Sequence, residues 1–108
     1  MIPMALLEVN DTTLQQKVRK QGVTVVDFGA VWCPPCKALL PIMNELQGEY
    51  GEQVTILKVD CDESPELAAQ YGVMSMPTVL VFHDGEPVEK LVGLRPKNVY
   101  ATTIAKYM

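Results

Sequence analysis

The stretch Val23-Thr24-Val25-Val26-Asp27-Phe28-Gly29-Ala30-Val31-Trp32-Cys33-Pro34-Pro35-Cys36-Lys37 carries most of the information in this 108-residue chain. Its opening, Val23–Phe28, is an apolar run, β-branched apart from Asp27 and Phe28, of the kind that forms a strand buried on both faces. Two adjacent prolines then open a helix, in the first turn, where a missing N–H costs little and φ is already set. That places Cys33 at the helix N-cap. There its sulfur faces unpaired N–H groups and the positive end of the helix dipole, which favour thiolate over thiol. Cys36, three residues on, lies on the same helical face, within reach of a tight disulfide. Since the helix continues behind Cys36, the expectation is an exposed, acidic nucleophile at Cys33 and a buried resolving thiol at Cys36.

Working outward, the helix runs to about Glu49, with Leu39, Ile42, Met43, Leu46 and Tyr50 at helical spacing. Upstream, Ala5–Val9 is a short apolar run. Thr12 with Gln15 has the form of a capping box, Leu14 and Val18 give an apolar stripe, and Gly22 closes that helix. Downstream, Val54–Asp60 is a β-rich strand, and Ser64-Pro65-Glu66 starts a short helix with an N-cap serine, ended by Gly72. Thr78–Phe82 and Val88–Val92 are strands joined through His83-Asp84-Gly85-Glu86, a hairpin signal. Pro96 opens a last helix whose face carries Tyr100, Ile104 and Tyr107. The order βαβαβαββα predicts an α/β fold, with parallel strands first, helices on both faces and an antiparallel far edge. No repeat or linker interrupts residues 1–108, so one domain is expected.

Composition narrows the function classes. Nine basic residues against thirteen acidic ones give a net charge of −4, no basis for holding nucleic acid or an anionic membrane surface. No apolar run is long enough to span a bilayer. Met1–Val9 lacks a basic region and meets Glu8 early, unlike a secretory signal, so cytoplasmic residence is expected. Three cysteines, Cys33, Cys36 and Cys61, make a poor framework of structural disulfides. In a reducing compartment a Cys-x-x-Cys pair suggests redox chemistry or metal binding.

Asp27 is the second unusual residue. A carboxylate inside Val-Thr-Val-Val-Asp-Phe is costly to bury ionised, so its pKa should rise. Six residues before Cys33, beneath the dithiol, it suits the role of base for Cys36, with Lys58 on the neighbouring strand moderating the shift. The plainer alternative is a buried aspartate bonded to backbone. Pro77, before a strand, reads on its own as a trans strand-start residue, because only about 5–6% of such bonds are cis. Cys61 reads as a packed, inert thiol and His83 as a surface residue. With the three cysteines His83 completes a zinc-compatible count, but ligands on a buried strand and a hairpin need not converge, so no metal is expected. Asp60–Glu66 reads as a solvated helix start.

Taken together, the chain resembles the thioredoxin family from its first strand to its last helix. The matching pieces are Val-Asp27-Phe, Trp32-Cys33-x-Pro35-Cys36-Lys37, Pro41, Asp62-x-x-Pro65, Tyr71-Gly72-Val73, Met76-Pro77-Thr78, Asp84-Gly85-Glu86 and Val92-Gly93. The resemblance implies a five-stranded mixed sheet in the order 1-3-2-4-5 flanked by four helices, with a cis bond before Pro77 facing the dithiol. It also implies a substrate groove formed by Trp32, Met74, Ser75, Met76 and Pro77 on one side and Val92, Gly93 and Leu94 on the other. The implied activity is thiol–disulfide exchange by a general, monomeric protein disulfide reductase that binds no cofactor. Disulfide-containing proteins would be its substrates, and NADPH would supply electrons through a flavin-dependent thioredoxin reductase. Lys37 would help hold the thiolate. Alternatives are a specialised electron donor to one partner, such as a peroxidase, or a redox-independent binding module.

Two positions depart from the family pattern. Pro34-Pro35 stands where glycine-proline is usual, removing the N–H at position 34, and the expected result is a redox potential displaced in the less reducing direction. Gly29 stands where relatives usually carry tryptophan, which should open a small hollow beside Asp27.

Overall fold

Val23–Gly29 forms β2, the middle strand of a five-stranded sheet in the order β1-β3-β2-β4-β5, in a computed structural model that describes residues 6–108. The remaining strands are β1 (Leu7–Val9), β3 (Val54–Asp60), β4 (Thr78–His83) and β5 (Glu86–Val92). β3 runs parallel to both β1 and β2, while β4 is antiparallel to β2 and to β5. The helices are α1 (Leu14–Lys17), α2 (Pro34–Tyr50), α3 (Pro65–Gln70) and α4 (Lys97–Ala105), with one 3-10 turn at Gly51–Gln53. Of the expected first apolar run, Ala5 lies outside the described residues.

Strand alternation divides the core into two layers. Val23 and Val25 of β2 face one side with Ile56 and Val79, against Leu39, Met43 and Leu46 of α2 and Tyr100 and Ile104 of α4. Val26 and Phe28 face the other, with Leu57 and Val59, against Leu14 and Val18 of the α1 region and Leu67 and Ala68 of α3. Leu39 is wholly buried; its truncation to alanine would cost about 2–5 kcal/mol in a core that cannot fully collapse. The α2 stripe read from the sequence is the face that packs, with Ile42 and Tyr50 at its margins.

Local signals fared less well where the partner is distant. The N-terminal helix is a single turn ending at Val18, whose ψ of 130° is extended, not a helix continuing to Gly22. Its reciprocal cap is Asn10 with Thr13, not Thr12 with Gln15: Asn10 Oδ1 accepts from the Thr13 N–H at 3.1 Å, and Thr13 Oγ1 accepts from the Asn10 N–H at 2.9 Å. The Ser64 side chain does not cap α3. Instead Asp11 Oδ1 accepts from the Leu67 N–H at 3.1 Å, reaching in from the β1–α1 loop. At the hairpin, Asp84 and Gly85 both take positive φ, as a tight two-residue turn requires.

Candidate active site

The carboxyl end of β2 delivers the chain into α2, and the two cysteines meet at that junction. Cys33 is the N-cap of α2 with extended backbone, and its Sγ accepts from the Cys36 N–H at 3.3 Å. With Pro34 and Pro35 in the first turn, Cys36 supplies that donor alone. The two sulfurs are joined as a disulfide, with Cα atoms 5.2 Å apart.

Residue exposure does not separate the two cysteines. Cys33 is 4% exposed and Cys36 5%, so the expectation of an exposed Cys33 over a buried Cys36 is corrected. Ala30 clusters with the two cysteines, and Met76 packs against that cluster. What differs is what each one faces.

On the Cys33 side lies the loop before β4. The Met76–Pro77 bond is cis, against the plain reading of Pro77 as a trans strand-start residue and as the family resemblance implied. The Met76 carbonyl oxygen stands 3.9 Å from Cys33 Sγ. Ser75 accepts through its carbonyl from Thr78 Oγ1 at 2.7 Å, and Pro77 accepts from the Gly93 N–H at 2.8 Å, tying this loop to the end of β5. Gly93 has a positive φ of 86°, and its carbonyl accepts from the hydroxyl of buried Tyr100. Around this frame Trp32, Met74, Val92 and Leu94 are all exposed, Met74 almost completely. Exposed apolar residues in one place beside a reactive disulfide form a surface suited to an extended protein segment.

Sequence reasoning missed one member of this surface. Trp32 Nε1 donates to Asp62 Oδ2 at 2.6 Å, which anchors the ring across the mouth of the site. Asp60 in turn shapes that loop, its Oδ1 accepting from the Asp62 N–H at 2.9 Å. The acidic cluster is therefore partly a support for Trp32 and not merely a solvated helix start. In the sequence Asp62 stood only within the Asp62-x-x-Pro65 match and the acidic run Asp60–Glu66.

On the Cys36 side lies Asp27. It is 3% exposed, and burial pushes its carboxyl up to about 7, with the nearby Lys58 ammonium pulling the other way. Among the described residues its Oδ1 has no hydrogen-bond partner, so backbone does not satisfy the aspartate at that oxygen there. Asp27 and Lys58 are register partners across β2 and β3, and Glu8 on β1 is the next in the same row. The hollow expected at Gly29 is present: about 80 Å³, bounded by Asp27, Cys36, Lys58 and Lys37 among others. Lys37 thus borders the hollow, and its side chain makes no hydrogen bond to Cys33 Sγ among the described residues.

Two other candidates fall outside the site. Cys61 is half-buried, its N–H bonded to the Gly29 carbonyl, and its thiol is raised to about 11 by burial and by Asp60 and Asp62. It stays a protonated, poorly nucleophilic thiol at neutral pH. His83 pairs in register with Val23, at the opposite end of the sheet from the dithiol, beside Asp84 and Tyr107. No helix among the described residues is long and apolar enough to cross a membrane.

Known proteins with this arrangement agree with the geometry. Residues 5–106 match the family model described as Thioredoxin. The chain is 48% identical over 105 residues to a thioredoxin of Staphylococcus epidermidis, covering 97% of this chain and 100% of that protein. It is 47% identical over 105 residues to a thioredoxin of Staphylococcus aureus with the same coverage. Among solved structures, the N21Q mutant thioredoxin from Halobacterium salinarum NRC-1 superposes with a TM-score of 0.87 at 35% identity, covering 99% of this chain and 94% of that one. With a bonded Cys-x-x-Cys pair at a helix N-cap and full-length similarity to these proteins, the chain belongs to the thioredoxin family and is a thiol–disulfide oxidoreductase that needs no bound cofactor.

Proposed function

We propose that this single-domain, monomeric protein is a general protein disulfide reductase of a reducing, cytoplasmic compartment, cycling between the Cys33/Cys36 dithiol and the disulfide. The Cys33 thiolate attacks one sulfur of a substrate disulfide, forming a mixed disulfide and releasing the other substrate sulfur as thiolate, which takes up a proton. Cys36 then loses its proton to Asp27 and attacks Cys33 Sγ. The mixed disulfide breaks, the second substrate thiol leaves, and the Cys33–Cys36 bond re-forms. Two electrons have passed to the substrate. NADPH, through a flavin-dependent thioredoxin reductase, restores the dithiol.

Each residue has a place in this cycle. Trp32, held by Asp62, and Met74, Ser75, Met76, Pro77, Val92 and Gly93 seat the substrate strand. Pro34 and Pro35 fix the first turn of α2, and Pro35 removes the second helical N–H from the donors available to the thiolate. Lys58 limits how far burial raises Asp27. The observation that carries the reading is Cys33 Sγ at the N-cap of α2, accepting from the Cys36 N–H and bordered by exposed apolar residues.

The test is trapping with Cys36→Ser. Two unrelated disulfide-containing proteins should each accumulate as mixed disulfides through Cys33, released by dithiothreitol. Capture of one and not the other would mean a specialised donor. Binding that survives replacement of both cysteines by serine would mean a redox-independent module.

A further inference from the structure

The chain has two arginines, and the fold uses them differently. Arg19 is taken up by its surroundings: Nε donates to the Gln21 carbonyl at 3.2 Å and Nη1 to the Glu52 carbonyl at 2.6 Å. Arg95, between β5 and α4, commits only Nε, to the Val92 carbonyl at 3.2 Å. Its two terminal nitrogens make no hydrogen bond or ion pair among the described residues, although such a fork can grip a carboxylate. The lysines nearest in sequence are already paired, Lys97 with Glu45 and Glu49 and Lys106 with Glu89.

The backbone of Arg95 is tied to the reactive end of the sheet. Its N–H donates to the Tyr100 hydroxyl at 3.1 Å, that hydroxyl donates to the Gly93 carbonyl at 3.3 Å, and the Gly93 N–H donates to the Pro77 carbonyl at 2.8 Å. Pro77 follows the Met76 carbonyl that faces Cys33. Exposed Val92 and Leu94 stand beside this frame. An arginine held at its backbone and at Nε has less side-chain freedom to lose on binding. Charge across this end of the sheet is uneven. Register places Asp60 beside Gly29 on the β3 flank and Val92 beside Thr78 on the β5 flank. A carboxylate crossing the β3 flank meets Asp60, Asp62 and Glu63, whereas one crossing the β5 flank meets Arg95.

We propose that Arg95 is a specificity-determining residue of the exchange reaction, pairing with a carboxylate side chain on the extended substrate segment whose disulfide Cys33 attacks. The proposal rests on the reductase reading above and names the substrate class for it: protein disulfides with an acidic residue on one side of the attacked cysteine. Strand spacing sets the distance. The dithiol stands at the end of β2, and β5 is two strands away, about 10 Å, a span covered by roughly three extended residues. The free terminal nitrogens of Arg95 take the carboxylate, while Val92 and Leu94 cover the apolar stem that carries it.

A set of peptide disulfides tests this with the full chain in its dithiol form. One glutamate is moved through about three positions on each side of the attacked cysteine, each peptide having a glutamine counterpart, since the span to β5 is that long. The second-order rate constant of reduction is read as the glutamate-to-glutamine ratio within each protein, which cancels any general loss in a variant. In the native protein the ratio should reach about 5 at an outer position on one side and stay at or below about 1 on the other. Arg95→Lys should keep part of that preference, Arg95→Gln should bring the ratio to about 1, and Arg95→Glu should carry it below 1. A native ratio near 1 at every outer position, or a preference that survives Arg95→Gln, overturns the proposal. If no peptide reacts at Cys33, the reductase reading has failed. The same ratios are then taken from Kd values for peptides carrying serine in place of cysteine, and they uphold or overturn the Arg95 pairing by the same rule.

Discussion

Cys33 and Cys36 are three residues apart, bonded to each other and buried to the same extent, yet they stand in opposite chemical surroundings. Around Cys33 are a helix N-terminus, one backbone donor, a facing carbonyl and an exposed apolar rim. Around Cys36 are a side-chain-free glycine, a cavity and a buried carboxyl with one oxygen that finds no partner among the described residues. In the proposed cycle, the division of labour between the sulfurs would therefore come from donors and bases and not from depth. On that proposal, one neighbourhood stabilises a thiolate and the other makes one on demand.

The largest effect should come from erasing one side. Cys33→Ser should cut reduction of a protein disulfide by at least ~10³-fold, because it removes the attacking atom itself. Cys36→Ser should leave the first attack intact and stop the cycle at the mixed disulfide. If Cys33→Ser retained turnover and Cys36→Ser lost it, the two neighbourhoods would have to exchange roles.

A second effect isolates the carboxyl without touching either sulfur. Burial raises Asp27 from 3.8 to about 7, so the native state resists ionising it. Below pH 3.8 the carboxyl is protonated whether folded or unfolded, and it costs nothing. As pH rises towards 7 the unfolded chain ionises first, and stability is progressively lost; above about 7 the loss is complete. At 1.36 kcal/mol per unit this amounts to about 4 kcal/mol. Asp27→Asn should therefore stabilise the oxidised protein by about that much at pH 8 and by little near pH 4, read from urea denaturation at the two pH values. Equal stabilisation at both would mean that the buried charge is not the cause.

The same substitution sharpens the comparison kinetically. Asp27 accepts a proton only when ionised, so resolution in the native protein should rise with pH through about 7. Asp27→Asn should slow resolution on the order of 100-fold near neutrality, with the deficit closing at alkaline pH as Cys36 ionises unaided. Stopped-flow measurement of substrate-thiol release across pH 5.5–9.5 reads both limbs. A native profile without an inflection near 7 would take Asp27 out of the proton path.

What was legible in the sequence follows the range of the interaction that determines it. Val54–Asp60 is a strand with those bounds, and the α2 stripe packs as its spacing implied, since periodicity is local and burial acts on it directly. The sheet order and the Met76–Pro77 cis bond came through resemblance alone, because strand neighbours and the isomer of one bond leave no periodic trace. Expectations failed where a side chain answered to a distant partner. Ser64 had the right type for a cap, but Asp11 held the position, 56 residues from Leu67. Asp62 looked like solvated charge until Trp32, 30 residues earlier, was found to be its partner. At Cys33, helix direction suggested exposure, while the residue is buried in a cluster with Ala30 and Cys36 against which Met76 packs from the loop before β4.

The smallest effect concerns which proline matters to Cys33, and here the cap geometry refines the expectation drawn from position 34. An N-cap side chain accepts from the second or third helical N–H, not from the first. Pro34 holds the first position and Pro35 the second, so the donor that Cys33 Sγ lacks is the one removed by Pro35, while Cys36 provides the third at 3.3 Å. A less reducing poise caused by losing the N–H at position 34 is therefore not what this cap supports. Pro35→Ala returns an aligned donor, which stabilises the thiolate and with it the reduced form. A hydrogen bond to a charged group contributes about 1.5 kcal/mol at the low end, so the potential should become less negative by roughly 30 mV. Pro34→Gly, restoring an N–H that points along the helix entrance, should shift it by less than half of that. Equilibration with glutathione buffers ranks the two variants. If Pro34→Gly moved the potential further than Pro35→Ala, backbone stiffness at the mouth of the dithiol, and not the count of donors on Cys33, would set its redox poise.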